Sequence, residues 1–149
     1  MTFIVRPAAG HDLDALVPLF DGYRQFYGQP SDEHGARAFL AARLRLRESL
    51  ILLACDQHDT AVGFTQLYPL FSSLRMLRTW LLSDLFVAAD ARRQGVAKAL
   101  LEAAAVHAKQ LGAASLSLST AHDNLPAQAL YESLGWRRDL QFREYALVL

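Results

Sequence analysis

The chain has 149 residues, of which 52% are hydrophobic and 20% charged, a balance typical of a globular protein with a substantial core. Lys and Arg together number 15, as do Asp and Glu, so the formal net charge is zero and neither nucleic acid nor a membrane surface is indicated as a partner. The single cysteine, Cys55, excludes an intrachain disulfide framework and a CxxC metal site, and we expect no bound metal. The N-terminal residues lack the features of a signal peptide and no apolar run reaches about 18 residues, which predicts one cytoplasmic domain over residues 1–149.

The first half of the chain predicts one strand, two helices and a β-hairpin. Apolar residues at three- and four-residue spacing give the first helix one apolar face, and Pro18 should kink or split that helix. Asp32 lies in the cap and first turn predicted for the second helix. Two compact apolar runs joined by a polar turn form the hairpin. The predicted elements are strands at 3–6, 49–55 and 61–70 and helices at 11–27 and 31–47.

The second half predicts a long strand, a long helix and several shorter elements. One run of six residues alternates strictly between polar and apolar side chains, as a half-buried strand does. These elements are strands at 77–87, 115–120, 136–138 and 142–149 and helices at 93–111 and 124–135. The complete order, β-α-α-β-β-β-α-β-α-β-β, predicts an α/β fold with a mixed, mostly antiparallel sheet and helices on both faces.

A strand, a polar turn, a glycine and a helix follow one another over residues 80–101. Gly95 has no Cβ to obstruct a close approach, and the first-turn N–H groups of the helix have no intrahelical partner. Together with the positive end of the helix dipole they form an anion site, to which Arg92, Arg93 and Lys98 add positive charge. The spacing is neither GxxxxGK[ST] nor GxGxxG, so the segment predicts a diphosphate cradle of another kind.

Two motifs resemble those of the GNAT superfamily of N-acetyltransferases. The segment Arg92-Arg93-Gln94-Gly95-Val96-Ala97 matches that superfamily's Arg/Gln-x-x-Gly-x-Gly/Ala loop. Residues 124–136 are similar to its second motif, N-x4-A-x-x-[LFY]-Y-x-x-x-G-[FW]. The resemblance covers about residues 80–136. The segment Tyr23-Arg24-Gln25-Phe26-Tyr27, together with Trp80-x3-Asp84-Leu85-Phe86-Val87, is similar to a histone-acetyltransferase-like branch of small domains.

The resemblance implies that the loop binds the pyrophosphate of acetyl-CoA and that the preceding strand lies beside the pantetheine arm. It also implies the fold that the pattern predicts and, because many relatives are homodimers, a homodimer. The residues expected to contact acetyl-CoA are Leu85, Phe86, Val87, Arg92, Arg93, Gln94, Gly95, Val96, Ala97, Lys98, Asn124 and Tyr131.

Two side chains are the leading candidates for acid–base chemistry. Tyr131 lies close to two helical turns after Asn124, on the same side of the helix, and its phenol can give a proton to a departing thiolate. Asp84 interrupts an apolar strand, where a carboxylate is costly unless it has a partner or a function. It is the candidate for binding or deprotonating the amine, and His122 and Asp123 are alternative bases.

The acceptor amine is expected to contact Tyr23, Tyr27 and Asp84. These tyrosines belong to an aromatic cluster with Phe20 and Phe26 that is either a pocket wall or ordinary core packing. The resemblance implies that the acceptor is a primary amine, either a small molecule or part of a peptide.

Direct attack of the amine in a ternary complex is expected, because Cys55 has no neighbouring base that would activate it as a nucleophile. Ser83 stands where polyamine-acetylating members of the superfamily commonly have glutamate, so the resemblance does not favour a polyamine. Two alternatives to the enzyme remain open: a non-catalytic regulator that binds acyl-CoA, and a self-associating structural module.

Overall fold

The computed structural model describes residues 2–149 and divides them into two compact units, one ending at Ser119 and the other beginning at Thr120. The first unit contains a five-stranded sheet, three long helices and two single-turn 3-10 helices. In chain order these are β1 (Ile4–Pro7), the first 3-10 turn (Gly10–Asp12), α1 (Leu13–Phe26), α2 (Glu33–Leu46), β2 (Leu50–Cys55), β3 (Ala61–Ser72), β4 (Leu77–Val87), the second 3-10 turn (Ala89–Ala91), α3 (Val96–Gln110) and β5 (Ser115–Ser117).

The strands lie side by side in sequence order, β1-β2-β3-β4-β5. The first three pairings are antiparallel and the pairing of β4 with β5 is parallel. The prediction of an α/β fold with a mixed, mostly antiparallel sheet is therefore confirmed, as is the predicted hairpin of β2 and β3.

Helices cover both faces of this sheet, as successive residues of β3 show. Phe64 is fully buried in a core formed with α1 and α2. Its neighbour Gly63 must face the other way, and there a Cβ would meet Val96 and Leu100 of α3 at 3.1 and 3.3 Å. Helices α1 and α2 thus pack on one face and α3 on the other.

Several boundaries in the first unit differ from the prediction by one to three residues, and one predicted split is absent. Helix α1 passes through Pro18 as one element, so the predicted split is wrong. Helix α3 begins at Val96 because Arg93 and Gly95 have φ of 62° and 87°, which an α-helix cannot include. Strand β5 covers three residues, because its pairing with β4 ends at Ser117 opposite Leu81.

The second unit contains α4 (Leu125–Ser133), and from Leu134 onward the described residues hold no strand. The predicted hairpin of 136–138 and 142–149 is therefore absent. A two-stranded hairpin is marginal without further strands or a helix to cover it, and here the apolar side chains that would need cover are exposed, Phe142 by 77% and Leu147 by 85%.

Across residues 2–149 the structure has no helix that combines the length and the apolar character needed to cross a membrane.

Candidate active site

A bulge in β4 lies at the centre of the candidate site. Gln66 of β3 pairs with Asp84, but the next residue, Leu67, pairs with Leu82, so Ser83 is an extra residue on β4. Its carbonyl oxygen accepts a hydrogen bond from the Tyr23 hydroxyl of α1 at 3.1 Å. Bulges re-aim side chains, and this one accompanies a carboxylate that points toward α1 and α2.

The Asp84 carboxyl is buried, with 6% of the residue exposed, and is held by two side chains. Gln66 donates from Nε2 to Oδ2 at 2.5 Å, and the Ser83 hydroxyl donates to Oδ1 at 3.0 Å. Gln66 is itself fully buried, and its Oε1 accepts a hydrogen bond from the Ser49 hydroxyl at 2.7 Å. Because Ser49 occupies the amide oxygen, the amide nitrogen must face Asp84.

The surroundings of Asp84 act on its basicity in opposite directions. Burial raises the pKa of the Asp84 carboxyl above its usual range, because the charged form loses water. The hydrogen bonds from Gln66, Ser83 and Tyr23 favour the charged form and lower that pKa, but burial has the larger effect. A carboxylate with a raised pKa is a stronger base than an ordinary aspartate.

Asp84 forms part of the wall of a cavity of about 460 Å³ between α1, α2 and the sheet. Its other lining residues are Phe20, Tyr23, Arg24, Asp32, Gly35, Ala36, Phe39, Tyr68 and Ser83. A volume in this range is typical of a pocket for a small molecule. Aromatic rings from both helices and from β3 therefore surround one buried carboxylate.

The loop between α1 and α2 is tied to Asp21, which fixes one rim of this cavity. The buried Asp21 carboxylate accepts hydrogen bonds from the Ser31 hydroxyl at 2.6 Å and from the Asp32 N–H at 2.8 Å. Asp32 in turn caps α2 by accepting the Gly35 N–H at 2.9 Å. The cap predicted from the sequence is confirmed, and it places a carboxylate at the rim.

Two of the three residues predicted to contact the amine lie in this cavity. Tyr23 and Asp84 line it, whereas Tyr27 packs edge-on against Tyr23 with ring centroids 5.2 Å apart and is not in the lining. Burial and the nearby Asp84 charge raise the pKa of Tyr23, so its phenol stays protonated. Of the remaining aromatic cluster, Phe20 serves both the core and the cavity, and Phe26 is 62% exposed outside it.

The predicted cradle lies at the start of α3. Gly95 is the N-cap residue, makes no side-chain cap, and has open space where a Cβ would point. The backbone N–H groups of the first turn are therefore available to an anion. Arg93 and Lys98 are exposed, and Lys98 lies 3.9 Å from Glu102.

Arg92 and Gln94 both fold back onto the backbone that precedes the cradle. Arg92 donates from Nε to the Val87 carbonyl at 3.1 Å, and its guanidinium lies 5.5 Å from the centre of the Phe86 ring. Gln94 donates to the Asp90 carbonyl at 3.3 Å. Both side chains stiffen the turn that joins β4 to α3.

The stretch from Leu85 to Val87 pairs with β3 along one edge only. Thr65, Phe64 and Gly63 are its partners. On the other edge of β4, the pairing with β5 ends at Leu81. Within the described sheet, the backbone of β4 beyond Leu81 therefore borders no strand on that side.

Asn124 and Tyr131 belong to the second unit, where both lie on or next to α4. The Asn124 side chain caps α4 by accepting the Ala127 N–H at 3.4 Å. Tyr131 is half-buried, and its ring lies 6.2 Å from that of Trp136. The residues of the second motif therefore lie on a helix that Asn124 caps.

Comparison with known proteins decides the family. The model of the acetyltransferase (GNAT) family matches residues 16–136. The chain belongs to the GNAT family of acetyltransferases. It is therefore an enzyme of the N-acetyltransferase class, as the motifs indicated.

Individual relatives agree with this assignment. The chain is 48% identical over 143 residues to the uncharacterized N-acetyltransferase YhfO of Bacillus subtilis (strain 168), covering 96% of this chain and 95% of that protein. A crystal structure of a probable acetyltransferase is 46% identical with a TM-score of 0.92, over 100% of this chain and 98% of that one. An aminoglycoside N-acetyltransferase, AAC(6')-Iy, solved in complex with CoA, has the same fold, with a TM-score of 0.79 at 20% identity over 98% and 95% of the two chains.

The described residues do not form a nucleophilic cysteine site or a metal site. Burial raises the pKa of the Cys55 thiol, which keeps it protonated and unreactive. His122 and Asp123 are exposed turn residues of the second unit. Over residues 2–149, no three His, Cys, Asp or Glu side chains are grouped as metal ligands.

The sequence interpretation of this GNAT chain missed Gln66, Phe39 and Tyr68. Gln66 had a usable signal, because it interrupts an apolar strand just as Asp84 does, and two such residues on neighbouring strands can meet. Phe39 and Tyr68 had none, since each fits the apolar pattern of its own element.

Proposed function

We propose that this GNAT enzyme transfers the acetyl group of acetyl-CoA to a primary amine by direct attack in a ternary complex. The observation that carries the proposal is the position of Asp84: a buried carboxyl in the wall of an aromatic cavity, on the strand that leads into the α3 cradle. One strand thereby connects a site for a cationic amine with a site for an anionic cofactor.

The residues at the start of α3 suit the diphosphate of acetyl-CoA. Its first-turn N–H groups, the open space at Gly95 and the exposed charges of Arg93 and Lys98 provide donors, room and positive potential. Arg92 adds a further guanidinium close by. The backbone of Leu85, Phe86 and Val87, which borders no strand on one edge, would bond the pantetheine arm, and Gln94, Val96 and Ala97 complete the loop.

The reaction needs a neutral amine and a proton for the leaving thiolate. We assign Asp84 as the base: its carboxylate takes a proton from the ammonium, and the amine nitrogen then attacks the thioester carbonyl carbon. A C–N bond forms, the C–S bond breaks, and the nitrogen loses a second proton, which replaces the one that the acid gives to the departing thiolate. Tyr131 is assigned as the acid that protonates the CoA thiolate and Asn124 as a ligand of the cofactor, both on the strength of the second GNAT motif.

A thermal-unfolding series tests the cofactor assignment. At about one hundred times Kd a ligand adds roughly 2.7 kcal/mol to stability, which for a chain of this size raises Tm by about 5–10 °C. A rise with acetyl-CoA and CoA but not with ATP is expected. The absence of any shift at millimolar acetyl-CoA would contradict the proposed cradle.

Asp84→Asn tests the chemistry. This variant keeps the shape of the side chain but cannot accept a proton, so kcat/KM should fall by about 10²–10⁴-fold while the Tm shift with acetyl-CoA is kept. Thiol release with an amine panel is the measurement. If the wild-type chain shows the shift but turns over no amine, the chain is an acyl-CoA-binding regulator and the enzyme proposal fails.

We further propose that residues 1–149 act as one acetyltransferase domain, which the match of the family model across both units supports. We also propose a homodimer, because many relatives are homodimers, and analytical ultracentrifugation would test it. A cytoplasmic location is proposed from the sequence alone.

A further inference from the structure

We propose that the acceptor pocket of this enzyme takes a small primary amine carried on an aromatic body, with no carboxylate beside the amine. This inference rests on the acetyl transfer proposed above and names the class of molecule that receives the group. The charge, the walls and the size of the cavity each contribute to it.

The charge of the pocket favours a cation. Its buried charge is the Asp84 carboxylate, and a second carboxylate, Asp32, stands at the rim. Arg24 is the cation of the lining, but it is already engaged: its Nη1 donates to the Pro30 carbonyl at 3.1 Å and lies 3.7 Å from Oδ1 of Asp21. An ammonium group is therefore the counter-charge that the pocket lacks.

The walls of the pocket are aromatic on several sides. Phe20 and Phe39 stack with centroids 5.8 Å apart and planes 4° from parallel, and Tyr23 continues the stack 6.2 Å from Phe20. Tyr68 adds a ring from β3. Phe39 is 40% exposed, with the Arg43 guanidinium 4.4 Å from the centre of its ring, and in the proposal a bound ring packs against the part that lines the cavity. Ring faces also attract the ammonium itself.

Amines of other classes fit these walls less well. An α-amino acid would bring its carboxylate against Asp84, where like charges repel and Arg24 is already paired. A peptide would place backbone N–H and C=O groups against Phe20 and Phe39, whose rings cannot hydrogen-bond them. A polyamine has no ring to stack on these walls and would leave their aromatic surface uncovered.

A substrate panel tests the inference with matched pairs. 2-Phenylethylamine and L-phenylalanine differ only by the carboxylate, and n-butylamine has a short alkyl group where 2-phenylethylamine has the ring. Tryptamine, spermidine and a lysine-containing peptide complete the panel. We expect kcat/KM for the two aromatic amines to exceed that for the others by about tenfold or more. A value for spermidine, L-phenylalanine or the peptide equal to theirs would overturn the inference.

The variant Phe39→Ala removes one wall without touching Asp84 or the cradle. KM for 2-phenylethylamine should rise by about tenfold, while KM for n-butylamine stays within about twofold. Phe71→Ala is the control, because Phe71 is 71% exposed on β3 and outside the lining. Equal effects of Phe39→Ala on both amines would contradict the inference, and Phe39→Leu repeats the test if the alanine variant does not fold.

The outcomes separate this inference from the proposed function. Turnover of amines without the aromatic preference leaves acetyl transfer in place and overturns the substrate class. No turnover of any amine and no Tm shift with acetyl-CoA overturns the proposed function and the inference with it.

Discussion

At the scale of single residues, a buried hydrogen bond from Gln66 affects the pKa of the Asp84 carboxyl. Gln66 donates to its carboxylate at 2.5 Å and is held in that orientation by Ser49. That hydrogen bond favours the charged form of Asp84, while burial favours the neutral form. In the proposed reaction Gln66 would be a positioning residue, because its hydrogen bond lowers the pKa of Asp84 against the larger effect of burial.

Gln66→Leu should move the acid limb of the pH profile of kcat/KM to higher pH. Without the donor, the pKa of Asp84 rises further, so the base is protonated over a wider range and the rate below the limb falls about tenfold for each pH unit of displacement. The measurement is kcat/KM against pH for both proteins.

Ser49→Ala is the matched control for this prediction, because it frees the Gln66 amide without removing it. A smaller shift in the same direction is expected. A limb that stays in place in a folded Gln66→Leu protein would show that Asp84 is not the group that titrates.

The ion pair of Arg6 and Asp12 contributes to the stability of the fold and not to the proposed activity. Arg6 of β1 binds both oxygens of Asp12 at 2.8 and 2.9 Å, and the Ala9 N–H adds a third hydrogen bond at 2.8 Å. The hydrogen bonds from Arg6 lower the pKa of Asp12 to about 2 against the effect of burial. Since the folded pKa is depressed, the stabilisation is complete above the unfolded pKa of about 3.9 and is lost as pH falls toward 2.

Asp12→Asn should therefore lower Tm at pH 7 but have a smaller effect at pH 3. The loss at pH 7 is about 1 kcal/mol or a few degrees, because Arg6 is about one-third exposed and solvent screens the pair. Asp14→Asn is the control: Asp14 also meets an arginine, Arg37 at 2.7 Å, but is 89% exposed. A Tm difference for Asp12→Asn that is the same at both pH values would refute the ionic contribution.

At the scale of elements, the approach of α3 to the sheet depends on Gly63. A Cβ there would lie 2.9 Å from the Phe86 carbonyl oxygen and 3.1 Å from Cγ1 of Val96. To relieve these contacts, the β3–β4 ladder would have to distort at the Phe86 carbonyl and the first turn of α3 would have to move away. Since Val96 is the first residue of α3, the displacement would reach the cradle.

Gly63→Ala should lower both stability and affinity for acetyl-CoA. Overpacking of this kind costs about 1–3 kcal/mol, or roughly 3–10 °C in Tm. Gly10→Ala is the control, because a Cβ added at Gly10 would meet no atom within 4 Å. Thermal unfolding with and without acetyl-CoA measures both effects, and an unchanged Tm for Gly63→Ala would mean that α3 is not seated as described.

At the scale of the whole molecule, local signals and long-range pairing were predictable to different degrees. Strand β4 begins and ends where the pattern predicts, and the Asp32 cap followed from single residues. The anion site expected at the start of α3 stays a prediction. The cavity walls did not follow from single residues, because Phe39 and Tyr68 come from elements that meet only through tertiary packing. Nor did the sequence reveal that 136–149 would lack strands, because alternation shows what a strand could bury and not whether a partner covers it.

The extra residue Ser83 determines which face of the sheet the side chains of β4 point to. In an unbroken strand, Leu82 and Asp84 would point the same way; here they oppose Leu67 and Gln66, which are neighbours and so point apart. The side chains before and after Ser83 therefore alternate between the two faces of the sheet out of step with each other. Deleting Ser83 would make Leu82 and Asp84 neighbours, so both halves of β4 would keep their faces and their partners on β3. Straightening the bulge without a deletion would instead turn every side chain of one half to the opposite face and could take the Asp84 carboxylate out of the pocket.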